Sequence, residues 1–230
     1  MANACKIDKI QEDKVFLDFF ETNHLKISRK KKGDIILGLD GHGNIYKFKL
    51  LELNPKFSIG NILEKRKYKK PEPFINLYIS SIKWKRMKYA IEKATEISTT
   101  SIHIIRSEFS NIKYDSQKIE KFQSTVIEAS KQSLNPFFPD VIFHENYPKL
   151  NNEDLNIICD PEGVKLKSIE DKIFKSNSIN VFIGPEGGFS DKDISFLNNS
   201  NKVNIAGNIL RSETASLYLI SILNYLTDRS

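Results

Sequence analysis

Cysteine is almost missing from this chain of 230 residues. Cys5 and Cys159 stand far apart, too few for a disulfide framework, and no Cys-x-x-Cys pair offers a zinc site. Histidine is equally sparse: His24, His42, His103 and His144 show no metal-ligand spacing, so no metal is expected. No apolar run approaches the ~20 residues of a membrane span. Charges recur from Lys6 onward with no apolar stretch behind them, so no secretory signal is expected and a reduced cytoplasmic setting is. The Gly-x-Ser-x-Gly elbow and His-Glu-x-x-His are absent, which removes the commonest hydrolase readings. So are the Gly-Lys-Ser/Thr end of a phosphate loop and the dinucleotide fingerprint.

What is present is uneven in charge. The formal net charge is +6; residues 1–72 carry 16 Lys/Arg against 10 Asp/Glu, and the remainder carries 19 of each. The whole excess sits in the N-terminal third, either as an electrostatic footprint for nucleic acid or as compositional drift in a chain rich in Ile, Asn and Lys. That third reads as strands: Val15–Phe20, Asp34–Leu39, Ile45–Leu51 and Ile59–Lys70. Tyr46, Phe48 and Leu50 alternate with Lys47 and Lys49, and Asp40-Gly41-His42-Gly43-Asn44 predicts a hairpin turn. Short strands with tight turns suggest a small β-barrel over residues 1–72, closed off by Pro71-Glu72-Pro73.

Residues 73–230 change character. Strand candidates Ile75–Ser80, Ser101–Arg106, Leu155–Cys159, Ile179–Ile183 and Lys202–Ala206 are interleaved with helical patterns. One helix carries Met87, Ala90, Ile91, Ala94 and Ile97 on one face; another carries Phe122, Val126, Ala129 and Ser133. Ser190 and Asp193 have capping-box spacing, and Thr214–Leu226 is an apolar closing helix. The alternation argues for an α/β domain with a parallel sheet.

Two Gly-centred turns follow apolar runs near the end of the chain: Ile183-Gly184-Pro185-Glu186-Gly187-Gly188 and Ala206-Gly207-Asn208-Ile209-Leu210-Arg211-Ser212-Glu213-Thr214. Such loops at strand ends are where open α/β sheets bind ligands. Glycine allows close backbone approach, Pro185 stiffens its turn, and Glu186 disfavours phosphate. Ser212 reads as the N-cap of the last helix. Arg211, between a loop and a buried helix, calls for a partner: Glu186, Glu213 or an anionic substrate. The cysteines have no activating context, and Cys159 reads as a small core residue.

The two turns together resemble the RsmE family, which methylates N3 of a uridine in 16S ribosomal RNA. Gly184-Pro185-Glu186-Gly187-Gly188-Phe189-Ser190 is similar to its GPEGG-[FLW]-[ST] loop, and Gly207 through Ala215 to its G-x-x-[IV]-L-R-x-E-T-A segment. Glu92-Lys93-Ala94-Thr95-Glu96 and Glu128-Ala129-Ser130-Lys131-Gln132-Ser133 resemble two of its helices; His24 with Arg29, Gly33-Asp34 and Asp40-Gly41 resemble its N-terminal barrel. Leu134 and Asn135 depart from the family's Gly-Arg, Ser98 from a Gly, and Phe109 from an Arg.

The resemblance implies a SPOUT-type, trefoil-knotted methyltransferase domain preceded by a PUA-like RNA-binding β-barrel, working as a homodimer on 16S rRNA or the small ribosomal subunit. It implies S-adenosyl-L-methionine as cofactor, held by Ile183, Gly184, Pro185, Gly187, Gly188, Ala206, Gly207, Ile209, Leu210 and Thr214. Arg211 is expected to stabilise the uracil anion, with Glu213 or Glu186 orienting it or taking the N3 proton. His24, Arg29, Lys30, Lys83 and Arg86 are the expected RNA contacts. Two other readings stay open on sequence: an RNA-binding or ribosome-assembly protein without turnover, and a methyltransferase acting at another RNA position.

Overall fold

The computed structural model describes residues 4–110 and 112–229. Its chain falls into two compact units. The first comprises the residues up to Lys70 together with Ile127–Phe138; the second comprises Pro71–Val126 and the residues from Pro139 onward. The contact division thus falls between Lys70 and Pro71 rather than between residues 72 and 73, and residues 127–138 go with the first unit.

In the first unit, β1 (Ala4–Lys6), β2 (Lys9–Gln11), β3 (Lys14–Leu17), β4 (Ile35–Leu39), β5 (Asn44–Leu53) and β6 (Ser58–Lys67) form one sheet in the order β1-β4-β5-β6-β3-β2. Only the β1–β4 pair is parallel. Tyr46, Phe48 and Leu50 of β5 face the core while Lys47 and Lys49 face water, as their alternation requires. Two register shifts between β5 and β6 curl the sheet around that core. The β4–β5 turn is held by Asp40, whose carboxylate accepts the N–H groups of His42 and Asn44 at 2.8 and 3.1 Å.

The expected strand Val15–Phe20 stops at Leu17. Asp18 accepts the Glu21 N–H at 2.8 Å and so caps α1 (Phe19–Ile27), which the sequence reading missed. Residues 127–138 enter this unit through Lys131, 2% exposed, whose ammonium contacts Glu21 and Glu128, each at 2.8 Å. The charge is tolerated there because it is paired. It also displaces the expected stripe: Ser133 is exposed, and Ser130 and Lys131 are buried in its place.

The second unit contains β7 (Phe74–Ser80), α2 (Trp84–Glu96), β8 (Ser101–Ile105), the start of α3 (Ser116–Ser133), β9 (Asp140–His144), β10 (Leu155–Lys165), α4 (Glu170–Lys175), β11 (Ser178–Ile183), α5 (Asp191–Phe196), β12 (Asn201–Asn204) and α6 (Ser212–Leu226). Its six strands are all parallel, in the order β12-β10-β11-β7-β8-β9. β9, α4 and the extension of β10 past Cys159 were not anticipated. At Gly163 the β10 extension touches β12 so closely that a Cβ would lie 2.5 Å from the Lys202 carbonyl carbon, which explains a glycine there. Tyr78, Ile105, Ile158 and Phe182 cluster on one face with Leu197, while Ile75, Leu77, Ile79, Ile157 and Val181 on the other are fully buried. α6 packs on β7, β11 and α2.

A polar row crosses this sheet. Asn180 donates to Asn156 at 2.9 Å, Asn76 donates to Asn180 at 3.0 Å, and the Ser101 hydroxyl donates to Asn76 at 2.8 Å. Ser101 must then accept from His103 Nε2 (2.8 Å), which leaves His103 Nδ1 to accept from His144 Nε2 (2.8 Å). In that arrangement His103 carries its proton on Nε2 alone and is neutral. Burial and the facing His144 push His103 down to about 4, and burial lowers His144 as well. Between pH ~6.5 and 4 the unfolded chain takes up more protons than the folded one, so this contribution is complete above pH ~6.5 and lost on acidification toward 4. We predict that urea midpoints measured across that range fall, and that His103→Gln flattens the slope by about 1 kcal/mol once solvent screening is allowed for.

Candidate active site

The carboxyl ends of β10, β11 and β12 bound a cleft of about 270 Å³. Its walls are apolar side chains of Ile183, Ile205, Ala206, Ile209 and Leu210 and the backbone of Gly184, Pro185 and Gly188. Asp160, Glu186 and Arg211 supply charge at its edges, and no lysine lines it.

Short hydrogen bonds lock the three loops together. The Gly188 N–H donates to Pro185 O at 2.9 Å, closing a turn in which Gly188 has φ +74, a conformation favouring glycine. Ser190 and Asp193 form the expected capping box and start α5 directly afterwards. Asn204 bonds the Pro161 carbonyl at 2.7 Å, fixing the end of β12 to that of β10. The Ser212 hydroxyl donates to the Gly184 carbonyl at 2.7 Å, fixing the start of α6 to the end of β11. Ser212 is thus not the N-cap read from sequence. Arg211 occupies that position with no side-chain capping bond, and Ser212 is the first helical residue, its hydroxyl turned across to the other loop.

The charges pair differently from the expectation. Arg211 is exposed and forms no ion pair among the described residues, so it needs no carboxylate to offset burial. Arg86, in the first turn of α2, takes both candidates: its Nη1 lies 2.6 Å from Glu186 and its Nε 3.7 Å from Glu213. Glu213 is only 8% exposed, and its Oε2 has no hydrogen-bond partner among the described residues. Arg86, expected as an RNA contact, is therefore engaged inside this site. Lys83 is exposed just before α2, while His24, Arg29 and Lys30 lie in the first unit at and beyond α1.

Of the residues expected to hold a cofactor, Ile183, Gly184, Pro185, Gly188, Ala206, Ile209 and Leu210 line the cleft. Gly187, Gly207 and Thr214 belong to the same loops but are not among its walls. Sequence reasoning missed the β10 end, Cys159-Asp160-Pro161, although a Pro and a Gly163 after an apolar run mark such a loop. Cys159 lines the cleft half-buried and is not a core residue. Burial and Asp160 push its thiol up to about 11, which leaves it protonated and unreactive.

Residues 69–224 match the family model described as an RNA methyltransferase domain. Ribosomal RNA small subunit methyltransferase E of Aquifex aeolicus (strain VF5) is 32% identical over 211 residues, which cover 88% of this chain and 90% of that protein. Ribosomal RNA small subunit methyltransferase E 2 of Borreliella burgdorferi is 28% identical over 216 residues, 90% of this chain and 88% of its own. Among solved structures, a ribosomal RNA small subunit methyltransferase E from Neisseria gonorrhoeae bound to S-adenosyl methionine superposes with a TM-score of 0.88 at 24% identity, over 98% of each chain. A predicted RNA methyltransferase of Thermotoga maritima gives 0.81 at 27% identity, over 99% of this chain and 100% of that one.

The Arg86 arrangement yields a stability prediction. Arg86→Ala leaves the buried Glu213 carboxylate without its counterion and lowers stability by about 1–2 kcal/mol in thermal denaturation. Adding Glu213→Gln recovers most of that loss, because the stranded charge is then gone.

Proposed function

The chain belongs to the RNA methyltransferase family of the ribosomal RNA small subunit methyltransferases E, and we propose that it transfers a methyl group from S-adenosyl-L-methionine to N3 of a uridine in 16S rRNA. The observation that carries this reading is a phosphate-averse cleft with an unpaired arginine on its edge. Apolar walls with open backbone groups suit an adenine and a thioether chain. Asp160 and Glu186 suit a cationic sulfonium and ammonium, and no lysine is present to favour phosphates. The donor set fits the cofactor, with Ile183, Gly184, Gly188, Ala206 and Leu210 as its principal holders. When bound, the cofactor supplies an electrophilic methyl on sulfur.

The remaining work falls to this chain's side chains. Uridine N3–H is a weak acid, so attack requires that its proton leave and that the resulting negative charge be stabilised. Arg211, exposed and free of protein carboxylates, meets the uracil oxygens and holds that charge. Arg86 pairs with Glu186 and Glu213. Of the two carboxylates, Glu186 lines the cleft and is the better placed to receive the proton. The base must leave its stack to enter.

The finer architecture belongs to the same proposal. The first unit acts as a PUA-like barrel that holds RNA with His24, Arg29 and Lys30; Lys83 is a separate RNA contact on the second unit. The second unit is a SPOUT domain with a trefoil knot. The insertion of β11 between β10 and β7, and the return of α6 over β11 and β7, support that threading. Exposed Tyr218 and Tyr225 on α6 and Tyr89 on α2 support a homodimer through that side. The setting is the cytoplasm, where the small subunit matures; among the described residues no helix is long and apolar enough to cross a membrane.

Mass spectrometry of small-subunit rRNA from cells with and without the protein tests substrate and activity together, and an unchanged uridine methylation pattern overturns the reading. For the purified protein, Arg211→Ala is expected to bind S-adenosyl-L-methionine normally by calorimetry and to methylate about 100-fold more slowly or worse. Full-rate turnover by that variant would remove Arg211 from the mechanism.

A further inference from the structure

A second cavity, of about 540 Å³, opens at the carboxyl ends of β8 and β9, with α5 as one wall. Its lining is unlike that of the cleft. Phe196 presents a ring that is 54% exposed, stacked on Tyr147 at 5.3 Å and 14°. Arg106 and Lys192 bring cationic heads; Glu108 and Glu145 bring carboxylates. Deep in the lining, Ser107 is 3% exposed, and its Oγ has no hydrogen-bond partner among the described residues. A buried hydroxyl left unpaired is costly, and the fold makes no other use of this one.

The walls are rigid and adjoin the cleft. Asp193 of α5 accepts the Glu108 N–H at 3.2 Å and the Ser190 N–H at 2.9 Å, tying the helix to the segment after β8. Phe109, between the lining residues Glu108 and Ser110, packs over Gly187, where a Cβ would lie 3.5 Å from its own. The loop that walls the cleft with Gly184, Glu186 and Gly188 thus touches the second cavity's segment through Gly187.

We propose that this cavity binds a nucleotide flanking the one whose base enters the cleft. The flanking base stacks on Phe196, and its phosphate meets Arg106 and Lys192. Two cations, Arg106 and Lys192, stand against three carboxylates, Glu108, Glu145 and Asp193, so the lining has no net positive field, which disfavours a duplex backbone held by charge alone. An aromatic face, by contrast, accepts any unstacked base, and the carboxylates can accept from ribose hydroxyls or exocyclic amines. The proposal rests on the RNA-methyltransferase reading and names where that substrate's strand continues.

The test uses the full chain and a short single-stranded RNA carrying 2-aminopurine beside a uridine. Wild-type protein is expected to quench the 2-aminopurine on binding. Phe196→Ala should lose the quench and raise Kd about ten-fold, Phe196→Tyr should restore both, and Ser107→Val should weaken binding by filling the cavity. Calorimetric binding of S-adenosyl-L-methionine should be unchanged in all three, which establishes that they fold. If wild type binds the RNA and the Phe196→Ala and Ser107→Val proteins match it in Kd and quench, the cavity is no subsite while the methyltransferase reading stands. If wild type binds no RNA, both fall. If Phe196→Ala loses subunit association in sedimentation but keeps its RNA affinity, the cavity is a protein contact and the proposal is overturned.

Discussion

A single hydroxyl joins the two halves of the active-site region. Ser212 Oγ donates to the Gly184 carbonyl, and through that bond the first turn of α6 is pinned to the end of β11. The bond does three things at once. It satisfies a carbonyl at a strand end that has run out of ladder partners, it sets where α6 begins, and it leaves Arg211 one residue earlier, outside the helix and open to solvent. Asn204 does the same for the β12 and β10 ends by bonding Pro161. The cleft is therefore a set of loops cross-tied by neutral hydrogen bonds, and its charged groups are left for chemistry rather than for holding the walls together.

The ion pairs of Arg86 complete the separation of roles. Glu186 is exposed and Glu213 is buried, yet the same guanidinium reaches both. One cation is shared by two carboxylates. An arginine that is already paired cannot offer its full charge to a substrate anion, and the counterion of both Glu186 and Glu213 comes from α2, far earlier in the chain.

That dependence marks where the sequence was legible and where it was not. The hairpin at Asp40–Asn44, the alternation in β5, the capping box at Ser190 and the order of strands and helices after residue 73 are local, and local patterns report them directly. Two of the three segments lining the cleft, after β11 and after β12, were legible because glycine and proline announce turns. The partner of Glu186 and Glu213 was not, because charge pairing between α2 and α6 leaves no periodic trace. Nor was the burial of Lys131, whose position on an apolar helix stripe has meaning only once Glu21 faces it. Short elements also escaped: β1, β2 and α4 are too brief for periodicity, and α1 begins with two phenylalanines that read as strand until Asp18 is recognised as a cap.

The placement of the cleft has a consequence for how the protein comes into being. Every residue lining it lies between Cys159 and Ala215, and none comes from the first two thirds of the chain. β11 must also insert between two strands already separated in sequence, β10 and β7. A chain made N-terminus first can thus complete its first unit's sheet while it has no cleft at all, since domains form as units during synthesis. Cofactor affinity arises only in the last stretch of translation. A nascent or truncated chain would carry that sheet before it carried any cleft.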